Sequence, residues 1–179
     1  MSDMERGYVQ VYTGNGKGKT TAAFGLAIRA VGDGMKVYIV QFLKTSPTGE
    51  VEAIKKLADN IKVFRFEKKR GFFWTLNDEE KTELKKEVQK AYEFVQQVIE
   101  NEKCDILILD EIMGAITNKL LTETQVLELI EKKPLTMELV LTGRNVPEAI
   151  AKKADLITEM KDIKHYMNEG VTARKGVEY

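Results

Sequence analysis

Residues 14–21 read Gly14-Asn15-Gly16-Lys17-Gly18-Lys19-Thr20-Thr21, and their flanks decide how the stretch folds. Upstream, Tyr8-Val9-Gln10-Val11-Tyr12 is an alternating, β-branched and aromatic run that reads as a strand. Downstream, Ala22, Ala23, Leu26, Ala27 and Ala30 recur at helical spacing. Strand, glycine-rich turn and helix in that order form the context of a phosphate-binding loop. Glycines let backbone N–H groups converge on an anion without Cβ clashes, and the helix N-terminus adds partial positive charge. Lys19 is placed to reach phosphate oxygens and the Thr20 hydroxyl to ligate a magnesium ion. The spacing departs from the commonest pattern by one residue. Four residues should separate the first glycine from Gly18, but that position is Thr13 and Gly14 comes one later. A turn that merely joins strand to helix does not call for three alternating glycines with two lysines and two threonines. The loop is expected to bind a nucleoside triphosphate.

Composition narrows the rest. A chain of 179 residues suits one domain, 1–179, with a substantial core. Lys plus Arg and Asp plus Glu both number 28, so the formal charge of zero argues against a general nucleic-acid binder. The single cysteine, Cys104, leaves no intramolecular disulfide and no multi-cysteine zinc site, as suits a reducing compartment. Residues 1–6 are polar, and no apolar run approaches the ~20 residues that span a bilayer, so no signal peptide or membrane segment is expected. The expectation is a cytoplasmic protein.

Further strands are expected at residues 36–42, 61–66, 104–109, 136–142 and 155–160. Helices are expected at 50–58, after Asn77 and after Thr122, and a short one before the last strand. Asn77 with Glu80, and Thr122 with Gln125, carry the capping-box pattern. Gly32 and Gly34 end the first helix. Alternating strands and helices imply an α/β fold of the P-loop NTPase kind, a doubly wound, mainly parallel sheet flanked by helices. Ligands of such sheets lie beyond the C-terminal ends of the strands, where the phosphate loop, the 43–49 loop, Phe72-Phe73-Trp74, Asp110-Glu111 and Gly143-Arg144 should all converge.

Asp110-Glu111 follows the apolar run Ile106-Leu107-Ile108-Leu109 and admits two readings. One is the acidic partner of the phosphate loop, holding magnesium directly or through water; the other is an ordinary acidic helix N-terminus. Beside a phosphate loop the metal reading is preferred, with Thr20, Asp110 and Glu111 as ligands, and spacing does not separate the two acids. Three consecutive aromatics, Phe72 to Trp74, cannot all point inward, so at least one is expected at a surface or pocket suited to a flat apolar ligand. His165, the only histidine, lacks companions for a metal site. Arg144 is placed to complement phosphate charge, and Arg29 either forms a salt bridge or reaches the nucleotide.

Taken together, these stretches resemble the P-loop ATP:corrinoid adenosyltransferases, the CobA/CobO/BtuR family. The resemblance runs nearly end to end. It takes in the loop, Ala23-Phe24-Gly25 with Arg29-Ala30, Val40-Gln41-Phe42-Leu43-Lys44, Gly71-Phe72-Phe73-Trp74, Leu109-Asp110-Glu111, Leu141-Thr142-Gly143-Arg144 and Lys175-Gly176-Val177-Glu178-Tyr179. It implies transfer of the 5′-deoxyadenosyl group of ATP to Co(I) of a corrinoid, with release of triphosphate, in cobalamin biosynthesis or salvage. ATP would lie reversed in the loop, exposing its 5′ carbon. The resemblance further implies Mg2+ or Mn2+, catalytic roles for Lys19, Thr20 and Glu111, and ATP contacts from residues 14–21, Arg29 and Arg144. Phe72 and Trp74 would close the lower face of the corrinoid, whose cobalt then loses its axial ligand and becomes easier to reduce. A homodimer and a reducing partner such as a flavodoxin are implied too. Phe73 departs from the small polar residue of the family pattern, and only about seven residues precede the first strand, so closure of the site would fall to the tail or a partner subunit. Two competing readings are a small kinase or ATPase acting at the γ-phosphate and a non-catalytic nucleotide-binding module.

Overall fold

Six short strands build the sheet: β1 Val9–Thr13, β2 Val37–Gln41, β3 Ile61–Phe64, β4 Ile106–Asp110, β5 Glu138–Thr142 and β6 Leu156–Glu159; β2, β4 and β5 are buried throughout and β6 is exposed. The computed structural model describes residues 4–44, 48–57 and 59–178. The first three residues, the middle of the 43–49 loop, the end of the expected 50–58 helix and Tyr179 lie outside the described residues. All adjacent strands run parallel, in the order β3-β2-β4-β5-β1-β6. The helices are α1 Lys19–Gly32, α2 Gly49–Leu57, α3 Asp78–Glu100, α4 Ile112–Thr117, α5 Glu123–Lys132 and α6 Glu148–Lys153.

Alternation along each strand divides the core in two. Val37 and Ile39 of β2, with Ile106 and Ile108 of β4, face Ala23, Phe24 and Ala27 of α1. Tyr38 and Val40, with Leu107 and Leu109, face Val88 and Val95 of α3, Leu129 of α5 and Ile150 of α6. Helices thus cover both faces, which explains why β2 and β4 are apolar up to their last residues, Gln41 and Asp110. Both capping boxes form: Asn77 accepts from the Glu80 N–H and Thr122 from the Gln125 N–H, with each side chain returned. Gly34, at φ +80°, closes α1 by donating to Val31 O (3.0 Å).

β1 keeps its expected five residues but starts one later, and the other strands are shorter than expected because side chains and turns take over their ends. Asp155 turns its carboxylate onto the Val9 N–H (2.8 Å), and the Pro134 carbonyl accepts from Met137 before β5 begins. β3 stops at Phe64, the last residue with a partner on β2. Asp110 belongs to β4 itself, and α4 follows with Glu111 as its N-cap, so the helix N-terminus admitted for Asp110-Glu111 is present.

The segment leaving β3 is fastened to α3. Phe66 packs on Phe94 (5.3 Å), and the Arg70 guanidinium grips both carboxylate oxygens of Glu87 while also reaching Glu83 (2.6 Å). Arg70 and Glu87 are each 8% exposed, and their pairing holds the Glu87 carboxyl below its ordinary range against the penalty of burial. Removing one partner strands the other without solvent. Arg70→Met is therefore expected to lower unfolding free energy by about 3 kcal/mol, and adding Glu87→Met to recover most of it, as read by urea denaturation.

Candidate nucleotide site

The phosphate loop leaves β1 at Thr13 and is shaped by close packing. A Cβ on Gly14 (φ +100°) would lie 2.3 Å from the Met160 carbonyl oxygen, and one on Gly16 would lie 2.7 Å from the same atom. The Gly16 N–H donates to that carbonyl (2.7 Å), so the loop is braced against the chain leaving β6. Two glycines are thus demanded by the fold as well as by an anion. Gly18 caps α1 with no side-chain cap hydrogen bond, an arrangement that suits an anion at the helix N-terminus. Lys19 folds back, its ammonium donating to Gly14 O and Gly16 O, both at 2.7 Å. Burial, and then the charge of Arg144, push its pKa down.

Beside the loop sits a buried carboxylate. Asp110 is fully enclosed, and its Oδ1 accepts from Thr20 Oγ1 (2.9 Å) and Thr142 Oγ1 (2.8 Å). Its Oδ2 accepts from Gln41 Nε2 (2.9 Å) and Lys44 Nζ (2.8 Å). Burial alone would raise this carboxyl; the Lys44 charge and the donors together hold it below the usual range. Lys44 also donates to Thr20 Oγ1 (2.9 Å), so one ammonium spans the hydroxyl and the carboxylate. Thr142 Oγ1 accepts from the Glu111 N–H (2.9 Å). Glu111 stands at φ +62° as the N-cap of α4, and its carboxyl is pushed up by burial and then by Asp110.

These groups open onto a cleft of about 820 Å³, with Lys19, Thr20, Lys44, Glu111 and Arg144 on its walls. The tail completes it. Lys17 donates to Val177 O (3.0 Å) and to Glu178 (3.2 Å), bringing Gly176, Val177 and Glu178 to the cleft. Glu178 is held in turn by Arg174 (3.1 Å) and the Tyr166 hydroxyl.

Of the residues singled out from sequence, Lys17 to Thr21, Glu111 and Arg144 reach the cleft, Gly14 and Gly16 shape the loop, Asn15 is exposed, and Asp110 lies just behind Thr20. Arg29 is exposed on α1, away from the cleft lining. Phe72 and Trp74 stack at 4.7 Å with planes 3° apart, 69% and 77% exposed, while Phe73 turns back onto the core. They too stand apart from the cleft lining. His165 serves locally, its Nδ1 accepting from the Met167 N–H (3.1 Å). Sequence reading gave no role to Gln41, Lys44 and Thr142, although all three stand in stretches that carry the resemblance. A signal existed for Lys44, since it follows the apolar β2, and that strand neighbours β4.

An all-parallel sheet with such a loop, a hydroxyl, buried acid and cation at its C-terminal edge defines a phosphate-loop nucleotide-binding protein. The flagellar accessory protein FlaH of Methanocaldococcus jannaschii shares this fold, with TM-score 0.54 and 16% identity, over 86% of this chain and 71% of that one. The sequence pattern of the family described as ATP:corrinoid adenosyltransferase BtuR/CobO/CobP matches residues 5–179. Corrinoid adenosyltransferases of Escherichia coli K12 and a Sinorhizobium species are 36% and 38% identical over 98% of this chain, covering 87% and 81% of their own lengths. The corrinoid adenosyltransferase CobA of Salmonella typhimurium is 35% identical over the same share. The chain belongs to the ATP:corrinoid adenosyltransferase family and is a transferase.

The Asp110 pair gives a test of the site. Its folded carboxyl is depressed, so its contribution to stability is present above the unfolded value and lost as pH falls through the folded one. Lys44→Met is expected to cost about 3 kcal/mol at neutral pH, and the difference from wild type to shrink below pH ~4 as Asp110 takes up a proton, measured by urea denaturation across pH.

Proposed function

We propose that this protein transfers the 5′-deoxyadenosyl group of ATP to Co(I) of a corrinoid and releases triphosphate. The observation that carries the reading is the convergence of the phosphate loop, Thr20, Glu111 and Arg144 on one cleft, in a chain that matches the adenosyltransferase family over residues 5–179. In the displacement, the cobalt electron pair forms the new Co–C bond at the 5′ carbon, while the bond from that carbon to oxygen breaks and its electrons leave on triphosphate. No protein nucleophile is required. The chain supplies charge and position. Residues 14–21 hold the triphosphate; Lys19 exchanges its two loop carbonyls for phosphate oxygens, and Arg144 meets the same growing charge. Arg29 is assigned a longer-range role toward the nucleotide.

The family's divalent ion, magnesium or manganese, fits the donors present. The Thr20 hydroxyl and the Asp110 and Glu111 carboxylates are hard oxygen ligands, though among the described residues no three His, Cys, Asp or Glu cluster together. Phosphate oxygens and water would complete the shell, with Thr20 and Glu111 binding directly and Asp110 behind them. When bound, the ion neutralises triphosphate charge.

Phe72 and Trp74 are assigned to the lower face of the corrinoid, because two stacked rings left in water are poised to trade solvent for a flat apolar partner. A reducing protein such as a flavodoxin supplies the electron for Co(II), and the cytoplasm suits the lone thiol of Cys104, buried and pushed up to about 12. A homodimer is supported by the open β6 edge, where Leu156 and Ile157 are 45% and 44% exposed. Light scattering is expected to return twice the mass of one chain.

The deciding reaction mixes protein, ATP, magnesium and chemically reduced cob(I)alamin without oxygen in dim light. A light-sensitive alkylcobalamin spectrum with equimolar triphosphate is the expected result; ADP and phosphate with unchanged cobalt would mark a γ-phosphate enzyme instead. Trp74→Ala is expected to impair reduction of bound Co(II) at least tenfold more than ATP binding, and equal losses would remove the aromatic wall from the account.

A further inference from the structure

The loop after β2 carries an unusual backbone. Leu43 sits at φ +56°, a left-handed conformation that side chains larger than glycine rarely adopt. Glu67 holds it there: the Leu43 N–H donates to Glu67 Oε1 at 2.8 Å. The next residue is Lys44, whose ammonium grips Thr20 and Asp110. Two residues before Glu67, the Arg65 Nε donates to Gln41 Oε1 (2.8 Å), and Gln41 is itself a donor to Asp110. Three residues after Glu67, Arg70 is clamped to Glu87. The segment that leads to Phe72 and Trp74 therefore leans twice on the residues around Asp110 and is anchored on α3.

Glu67 is kept there against its own solvation. Burial pushes its carboxyl up to about 6, although the Leu43 N–H acts in the opposite direction; Glu87 adds to the rise and Arg70 reduces it. A glutamate retained where its charge is penalised has a use that an apolar residue would not serve. It is absent from the residues that line the cleft, so it touches no nucleotide directly.

We propose that Glu67 is a positioning residue, which by fixing Leu43 in its left-handed conformation sets Lys44 on Thr20 and Asp110 and joins that grip to the aromatic segment. This rests on the nucleotide reading of the cleft. The test is calorimetric binding of magnesium-ATP to wild type, Glu67→Gln, Glu67→Met, Lys44→Ala and the Glu67→Met/Lys44→Ala double variant, with urea midpoints alongside. Glu67→Met, which fills the space without an acceptor, is expected to weaken ATP binding about tenfold. Glu67→Gln, which keeps an oxygen for the Leu43 N–H, is expected to stay within about twofold of wild type. On the Lys44→Ala background, Glu67→Met is expected to add nothing. Unchanged binding in Glu67→Met, equal losses in Met and Gln variants, or the same loss with and without Lys44 would each overturn the proposal. Should Glu67→Met not fold, Glu67→Asp, whose oxygens are withdrawn by one methylene, takes its place with the same expected loss. A wild type that binds no ATP would sink the nucleotide reading, and this proposal with it, a result distinct from tight binding that ignores Glu67.

Discussion

A carboxylate without water is the constraint around which this molecule is arranged. Asp110 has no exposure, and an ion so placed persists only if its lone pairs are met from every side. Here the four donors come from four places in the chain: the start of α1, the end of β2, the loop after it, and the end of β5. Each position depends on the parallel register that sets Gln41 opposite Asp110 and brings β5 alongside β4. The order of strands is thus also the assembly plan of the site. Moving any one element would leave a buried charge short of a partner.

Much of this was legible from sequence, for physical reasons that differ from element to element. The loop at 14–21 declared itself because glycine, lysine and threonine at that spacing have few other uses. Asn77 and Thr122 announced their helices because capping is local, and both boxes formed as read. Apolar runs at β2 and β4 pointed to a sheet covered on both faces. Strand ends were less legible, since the Asp155 carboxylate that takes the Val9 N–H lies just before a strand distant in sequence. The short α4 was legible only as one of two readings of Asp110-Glu111, because six residues carry too little periodicity to declare a helix.

Within the site, residues beside the loop could be proposed from sequence, whereas those that act through contacts could not. Lys44, Gln41 and Thr142 look ordinary until β2, β4 and β5 lie side by side. The reading of Phe72 to Trp74 was right that the rings could not all turn inward; which one did so was decided by the fit of Phe73 against the core. Arg29 illustrates the converse: helical position placed it near the loop in sequence, yet it is exposed and does not line the cleft.

The bracing of the phosphate loop against the Met160 carbonyl carries one more consequence. Loops that order only when a ligand arrives give up binding free energy as lost conformational entropy. In this chain the sheet edge has already set the loop, and Lys19 already rests on two of its carbonyls. On the proposed function, an arriving anion takes over the Lys19 ammonium from those two carbonyls and meets a backbone that is already set.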